Sequence, residues 1–169
     1  MERCYKYVGP KRIERAAAGS VGGRVVGSAV ELREVVYGIG RRDPGSGPLW
    51  ATFVIDPSGR LLLADRRSEH VACASGREVL SAGEMAFALE GDTVVVEQVT
   101  NQSTGYCPEP ESWISVARAL DAIAIPHPGS FTPAFVFRRC PACGQANIIK
   151  DDGYVCAVCG MDLPTEWNF

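Results

Sequence analysis

Residues 50–64 read Trp50-Ala-Thr-Phe-Val-Ile55, Asp56-Pro57-Ser58-Gly59, Arg60-Leu-Leu-Leu-Ala64. Two short apolar runs flank four turn residues, in which Pro presets φ and Gly accepts positive φ, so the stretch predicts a β-hairpin. Downstream, strands are expected near residues 70–74 and 77–80. Met85-Ala-Phe-Ala-Leu89 and Thr93-Val-Val-Val-Glu97 flank Glu90-Gly91-Asp92 and predict a second hairpin. After a loop over residues 101–110, Pro110 and Glu111 open a helix with Trp113, Val116, Ala117, Leu120 and Ile123 on its apolar stripe. It stops before Pro126-His127-Pro128, where His127 reads as a loop residue, and residues 135–137 form a strand.

Upstream, Ser28-Ala-Val-Glu31 fits a capping box opening a helix with Leu32, Val35, Val36 and Ile39 on one face, closed by Gly38 or Gly40. Residues 41–48 (RRDPGSGP) read as a loop. Residues 1–27 carry loops around short elements. Helices and antiparallel hairpins in this order predict an α+β domain.

The chain has 169 residues, 46% apolar and 22% charged, enough for one packed domain with a small appendage. Its net charge of −3 excludes a generally basic nucleic-acid coat protein. Residues 1–48 carry +4, residues 49–139 −4 and residues 140–169 −3. The pairs Arg41-Arg42, Arg66-Arg67 and Arg138-Arg139 read as solvated loop edges. Met1 to Lys6 has no apolar core of a secretory signal, and no apolar run approaches the ~20 residues of a membrane helix. Arg outnumbers Lys 14 to 3, and Ala, Gly and Val are abundant, as in a bacterial GC-rich genome.

Seven cysteines are present, four of them in Cys140-Pro-Ala-Cys143-Gly144 and Cys156-Ala-Val-Cys159-Gly160. Such spacing, with an odd total, predicts metal ligation in a reducing cytoplasm and not a secreted disulfide framework. In each C-x-x-C-G, two thiolates reach one ion from a tight turn, and Gly lets the following amides bend toward sulfur. The segment resembles the zinc-ribbon family, which divides the chain into an α+β domain, residues 1–137, and a zinc ribbon, residues 138–169. Four Cys ligands leave no open position, so one structural Zn²⁺ held by Cys140, Cys143, Cys156 and Cys159 is expected, with rubredoxin-type iron the alternative. With Lys150 its only base beyond Arg139, the ribbon is poorly suited to phosphate. Its role is then a clamp or a protein contact, with nucleic acid the weaker reading and no membrane partner.

The middle of the chain places His70, Gly76, Val79, Ala82-Gly83-Glu84, a hairpin, then Asn101, Ser103-Thr104-Gly105-Tyr106 and Pro108. This pattern resembles a domain of uncharacterised bacterial proteins, also found in plant IQ-motif calmodulin-binding proteins, in which it runs HSSxxxGGxxxxAAG, a hairpin, then SGHYxP. Here Val71 and Ala72 replace the two serines, and Thr104-Gly105 replace Gly-His. The resemblance implies a β-rich domain and no settled activity; no IQ motif is present, so calmodulin binding does not follow. Physically, His70, Glu84, Asn101, Ser103 and Tyr106 are polar residues that two hairpins and a loop can bring to one pocket. An imidazole and a carboxylate there suit acid–base work, with His70, Glu84, Ser103 and Tyr106 the catalytic candidates. The alternative is that they hydrogen-bond strand ends and turns. Cys107 could pair with His70 or His127 as a nucleophile; Cys107 otherwise reads as a buried free thiol, and Cys4 and Cys73 as core.

Three functions follow: a zinc-stabilised binding protein contacting a protein or small ligand, an enzyme acting on a nucleotide-like or ADP-ribose-like substrate, and a nucleic-acid-binding zinc-ribbon protein. No Gly-rich phosphate loop supports the enzyme.

Overall fold

A computed structural model describes residues 2–42 and 47–169. Its centre is strand β3 (Leu49–Ile55), whose side chains are buried on both faces of an antiparallel sheet. Double burial explains why this strand reads as an almost unbroken apolar run. On one side β3 pairs with β4 (Leu61–Asp65), which pairs in turn with β1 (Arg24–Val26); on the other it pairs with β5 (Ser81–Glu90), followed by β6 (Thr93–Val99). The two-residue β2 (Arg41–Arg42) pairs with Trp50 and Leu49. Because β5 already occupies the other edge of those residues, β2 lies in line with β4.

Helices cover both faces. Helix α2 (Ala29–Ile39) and helix α4 (Trp113–Ala122) place Leu32, Val35, Val36, Val116 and Leu120 against Phe53, Leu63, Met85 and Phe87. Opposite, α1 (Lys11–Ala17), the short α3 (His70–Cys73) and the N-terminal Tyr5 and Tyr7 pack on Val54, Leu62 and Ala82. The alternation Leu61, Leu62, Leu63 sends successive side chains to opposite cores. The result is α+β as expected. No helix among the described residues is long and apolar enough to cross a membrane.

The N-cap of α2 forms with one shift from a capping box: Ser28 Oγ accepts from the Glu31 amide at 3.1 Å, while Glu31 reaches back to the amide of Gly27, one residue before the cap, at 2.8 Å. Gly40 ends it. In the first hairpin, Asp56 Oδ1 accepts from the Ser58 and Arg60 amides and Gly59 adopts φ 80°.

Several local expectations are corrected. Residues 70–74 form a turn of helix and not a strand: Cys73 and Ala74 donate to the carbonyls of Glu69 and His70. A four-residue apolar run carries no period long enough to separate the two states. Residues 77–80 make a single bridge, with Val79 and Tyr5 exchanging both backbone bonds, before the chain enters β5. That strand starts four residues earlier than Met85, because Ser81 to Glu84 pair with Ile55 to Thr52 of β3, and Gly83 leaves room for the Thr100 carbonyl. A Cβ there would lie 1.8 Å from the Thr100 oxygen. Of the loop expected over residues 41–48, Arg41 and Arg42 form β2, and residues 43–46 lie outside the described residues. Cys4 is exposed, not core. Arg138 is 4% exposed, not a solvated loop edge.

Candidate metal centre and central polar cluster

Strands β7 (Phe137–Arg139) and β8 (Ala146–Ile148) pair as a small sheet and present the two cysteine turns. Each turn repeats the same pattern. Gly144 donates to the Cys140 carbonyl and Cys140 to that of Gln145; Gly160 donates to the Cys156 carbonyl and Cys156 to that of Met161. Gly144 and Gly160 take φ 78° and 74°, a backbone that a side chain disfavours. Between the turns, Asp151 and Asp152 both take positive φ as the chain reverses from Lys150 to Gly153.

All four Sγ atoms lie within 4.8 Å of one another. Cys140 and Cys159 are 3.5 Å apart, and Cys143 and Cys156 are 3.7 Å apart. A tetrahedral ion with ~2.3 Å bonds to sulfur requires edges of about 3.8 Å. A disulfide requires ~2.05 Å. The donor set therefore fits one tetrahedral metal ion.

The amides of Cys143 and Ala142 point at Cys140 sulfur and lower its pKa; those of Cys159 and Val158 bring Cys156 down to about 6. Cys143 and Cys159 also accept amides, from Gln145 and Met161, which lower their pKa. Burial and the neighbouring sulfurs outweigh this and raise both, Cys159 to about 12. Four adjacent thiols cannot all ionise unaided, and a dication removes that obstacle.

The ribbon is fastened to the body by groups the sequence reading missed. Arg138 on β7 forks onto Glu109, just before α4, at 2.7 and 3.2 Å. Its remaining donors reach the carbonyls of Thr165 and Phe137. Downstream of the second knuckle, Trp167 donates to the Cys107 carbonyl at 2.8 Å and meets Tyr5 edge-on. The Asn168 side-chain amide exchanges two hydrogen bonds with the Arg139 backbone. An isolated Trp near a chain end was the available signal.

The five central polar residues do not share one pocket. His70 and Glu84 line a cleft of about 330 Å³ with Thr52, Arg66 and Gln102. There Glu84 meets Arg66 at 3.6 Å, and Arg66 lies over the Trp50 ring. His70 Nε2 bonds the Gly83 carbonyl at 3.0 Å. Because a carbonyl only accepts, Nε2 carries the proton and Nδ1 the lone pair. Burial lowers the His70 pKa, so the ring is neutral near pH 7. Asn101, Ser103 and Tyr106 are buried away from this cleft. Asn101 Nδ2 donates to the Pro108 and Phe135 carbonyls, and Oδ1 accepts from the Phe135 amide. Tyr106 donates to the Arg77 carbonyl at 2.5 Å, and burial raises its pKa. Ser103 Oγ has no hydrogen-bond partner among the described residues.

The remaining candidates are also occupied. Cys107 donates to the Thr104 carbonyl, and burial pushes its thiol up to about 12. His127 bonds Pro128 and Asp121 and packs edge-on against Trp113. Neither histidine bonds Cys107. Comparison with family models, curated proteins and solved structures yields no match.

Proposed function

We propose that this chain is a zinc-stabilised binding protein of a reducing, cytoplasmic compartment, whose ribbon clamps the body and offers a contact surface to a protein or small ligand. The observation that carries the reading is the closed set of four sulfurs within 4.8 Å of one another. Four thiolates fill a tetrahedral ion, so zinc here supplies cohesion and no site for substrate. All seven cysteines are free, consistent with that compartment. Metal analysis of purified protein should return one zinc per chain; iron in its place, or no metal, would overturn the zinc assignment. The binding role is tested by capture of a specific protein partner that is lost when Val158 and Met161, exposed on the ribbon, are changed to Ser. Capture unaffected by these changes would remove the ribbon as the contact.

A second reading is supported by the cleft shared by His70 and Glu84, with a neutral imidazole whose Nδ1 lone pair is unused. Such a group accepts a proton or a hydrogen bond from a nucleotide-like or ADP-ribose-like ligand. Tyr106 and Ser103 lie outside this cleft. A thermal-shift screen with nucleotides and ADP-ribose separates the readings: stabilisation lost in His70→Ala but kept in Tyr106→Phe favours this cleft, and no shift with any of them removes it. Binding of nucleic acid that weakens with salt would instead favour the third reading.

A further inference from the structure

Asn147, on β8, is 6% exposed, and its side chain makes three polar contacts within the ribbon. Its Nδ2 donates to the Gln145 carbonyl at 2.9 Å and to Cys156 Sγ at 3.6 Å. Its Oδ1 accepts from the Ala157 amide at 3.0 Å. One side chain thus joins the end of the first knuckle to both the sulfur and the backbone of the second. Among the described residues, no other side chain apart from the cysteines themselves is bonded to any of the four sulfurs.

We infer that Asn147 is a positioning residue of the metal centre, orienting Cys156 and sharing the negative charge of its thiolate. The inference rests on the reading of the four cysteines as a metal site. Four thiolates around a dication leave a doubly negative cluster in a half-buried setting. Each N–H aimed at sulfur disperses part of that charge, and groups that orient ligands are worth about 10- to 100-fold in metal affinity. The backbone supplies such donors to all four sulfurs; Asn147 adds a side-chain donor to Cys156 alone. The two knuckles, alike in backbone, are thereby made chemically unequal.

Asn147→Asp reverses the polarity of the group that faces Cys156. It keeps the shape and the Oδ1 acceptor for the Ala157 amide, removes the Nδ2 donors and adds a negative charge beside sulfur. Asn147→Ala loses both functions. Zinc affinity is measured by competition with a chromophoric chelator on the full chain, beside the absorption spectrum of the cobalt-substituted protein. The expected result is a loss of at least about 10-fold in zinc affinity for Asn147→Asp, with displaced sulfur-to-cobalt charge-transfer bands. A purely structural role predicts that both variants lose folding stability while the folded protein binds zinc within twofold of wild type with an unchanged cobalt spectrum, and this outcome overturns the inference. If neither variant folds, cadmium-substituted wild-type protein decides. A through-bond coupling between cadmium and a side-chain amide proton of Asn147 supports the contact, and its absence overturns it. Failure of wild type to bind any of the three metals would instead defeat the metal reading itself.

Discussion

The guanidinium of Arg138 and the carboxylate of Glu109 meet in a fork, at 2.7 and 3.2 Å, with Arg138 side chain 5% exposed and Glu109 16%. This ion pair joins the ribbon to the body, and the carbonyls of Thr165 and Phe137 saturate the remaining donors. Replacing Arg138 by Met leaves a shielded carboxylate and two carbonyls without donors, a loss of about 3–5 kcal/mol. Lys cannot supply the planar fork and should recover only part of it. Urea unfolding checks this; an R138M protein as stable as wild type would show that the fork contributes nothing net.

Stability should fall on the acid side through His70. Its folded pKa is lowered by burial, so the unfolded chain takes up the proton first. The contribution is complete above the unfolded value of about 6.5 and is lost as the pH drops from there toward the folded value. His70→Gln, which cannot titrate, should flatten this part of the profile. Denaturation midpoints at several pH values, with the imidazole followed by NMR, test it; a folded His70 titrating above its ordinary value would refute the sign.

Two buried hydroxyls in the same loop should respond oppositely to removal. Tyr106→Phe deletes the bond to the Arg77 carbonyl and should destabilise by about 1–2 kcal/mol. Ser103→Ala deletes a hydroxyl with no partner among the described residues and should leave stability unchanged or raise it by up to about 1 kcal/mol. Equal losses in both would mean that the Ser103 hydroxyl makes a bond in solution.

Chelation of the metal should release the tail as well as the knuckles. Trp167, eight residues after Cys159, is held by its indole N–H at the Cys107 carbonyl. The indole N–H resonance of Trp167 should therefore move to its solvent position when the ion is removed, while resonances of β3 hold. Concerted loss of both would show that the body does not fold without the ribbon.

The hairpins, the capped α2 and the cluster of four cysteines were legible because each depends on local chemistry: Pro57 and Gly59 in a turn, Ser28 with Glu31, paired C-x-x-C-G. The residues at 70–108 were legible as a pattern but not as a purpose. His70 Nε2, Asn101 Nδ2 and the Tyr106 hydroxyl are spent on backbone carbonyls at Gly83, Pro108, Phe135 and Arg77, 7 to 34 positions away. Nothing in the types of these residues separates a tertiary latch from a catalytic group. The same limit hid Arg138, whose adjacency to Arg139 suggested a wet edge. Its partner lies 29 positions upstream.

The pair of hydrogen bonds between Asn168 and Arg139 has a bearing on self-association. In the two-stranded ribbon sheet, Cys140 and Val136 turn their backbone groups toward β8, so Arg139 turns its own outward. That N–H and C=O are taken by the Asn168 amide, and the Phe137 carbonyl by Arg138. Three of the outward groups of β7 are thus already paired, which leaves little ladder to offer a strand from another molecule. A chain with Asn168 changed to Ala would carry an adhesive margin there, and oligomers or fibrils seeded at the ribbon would be its signature.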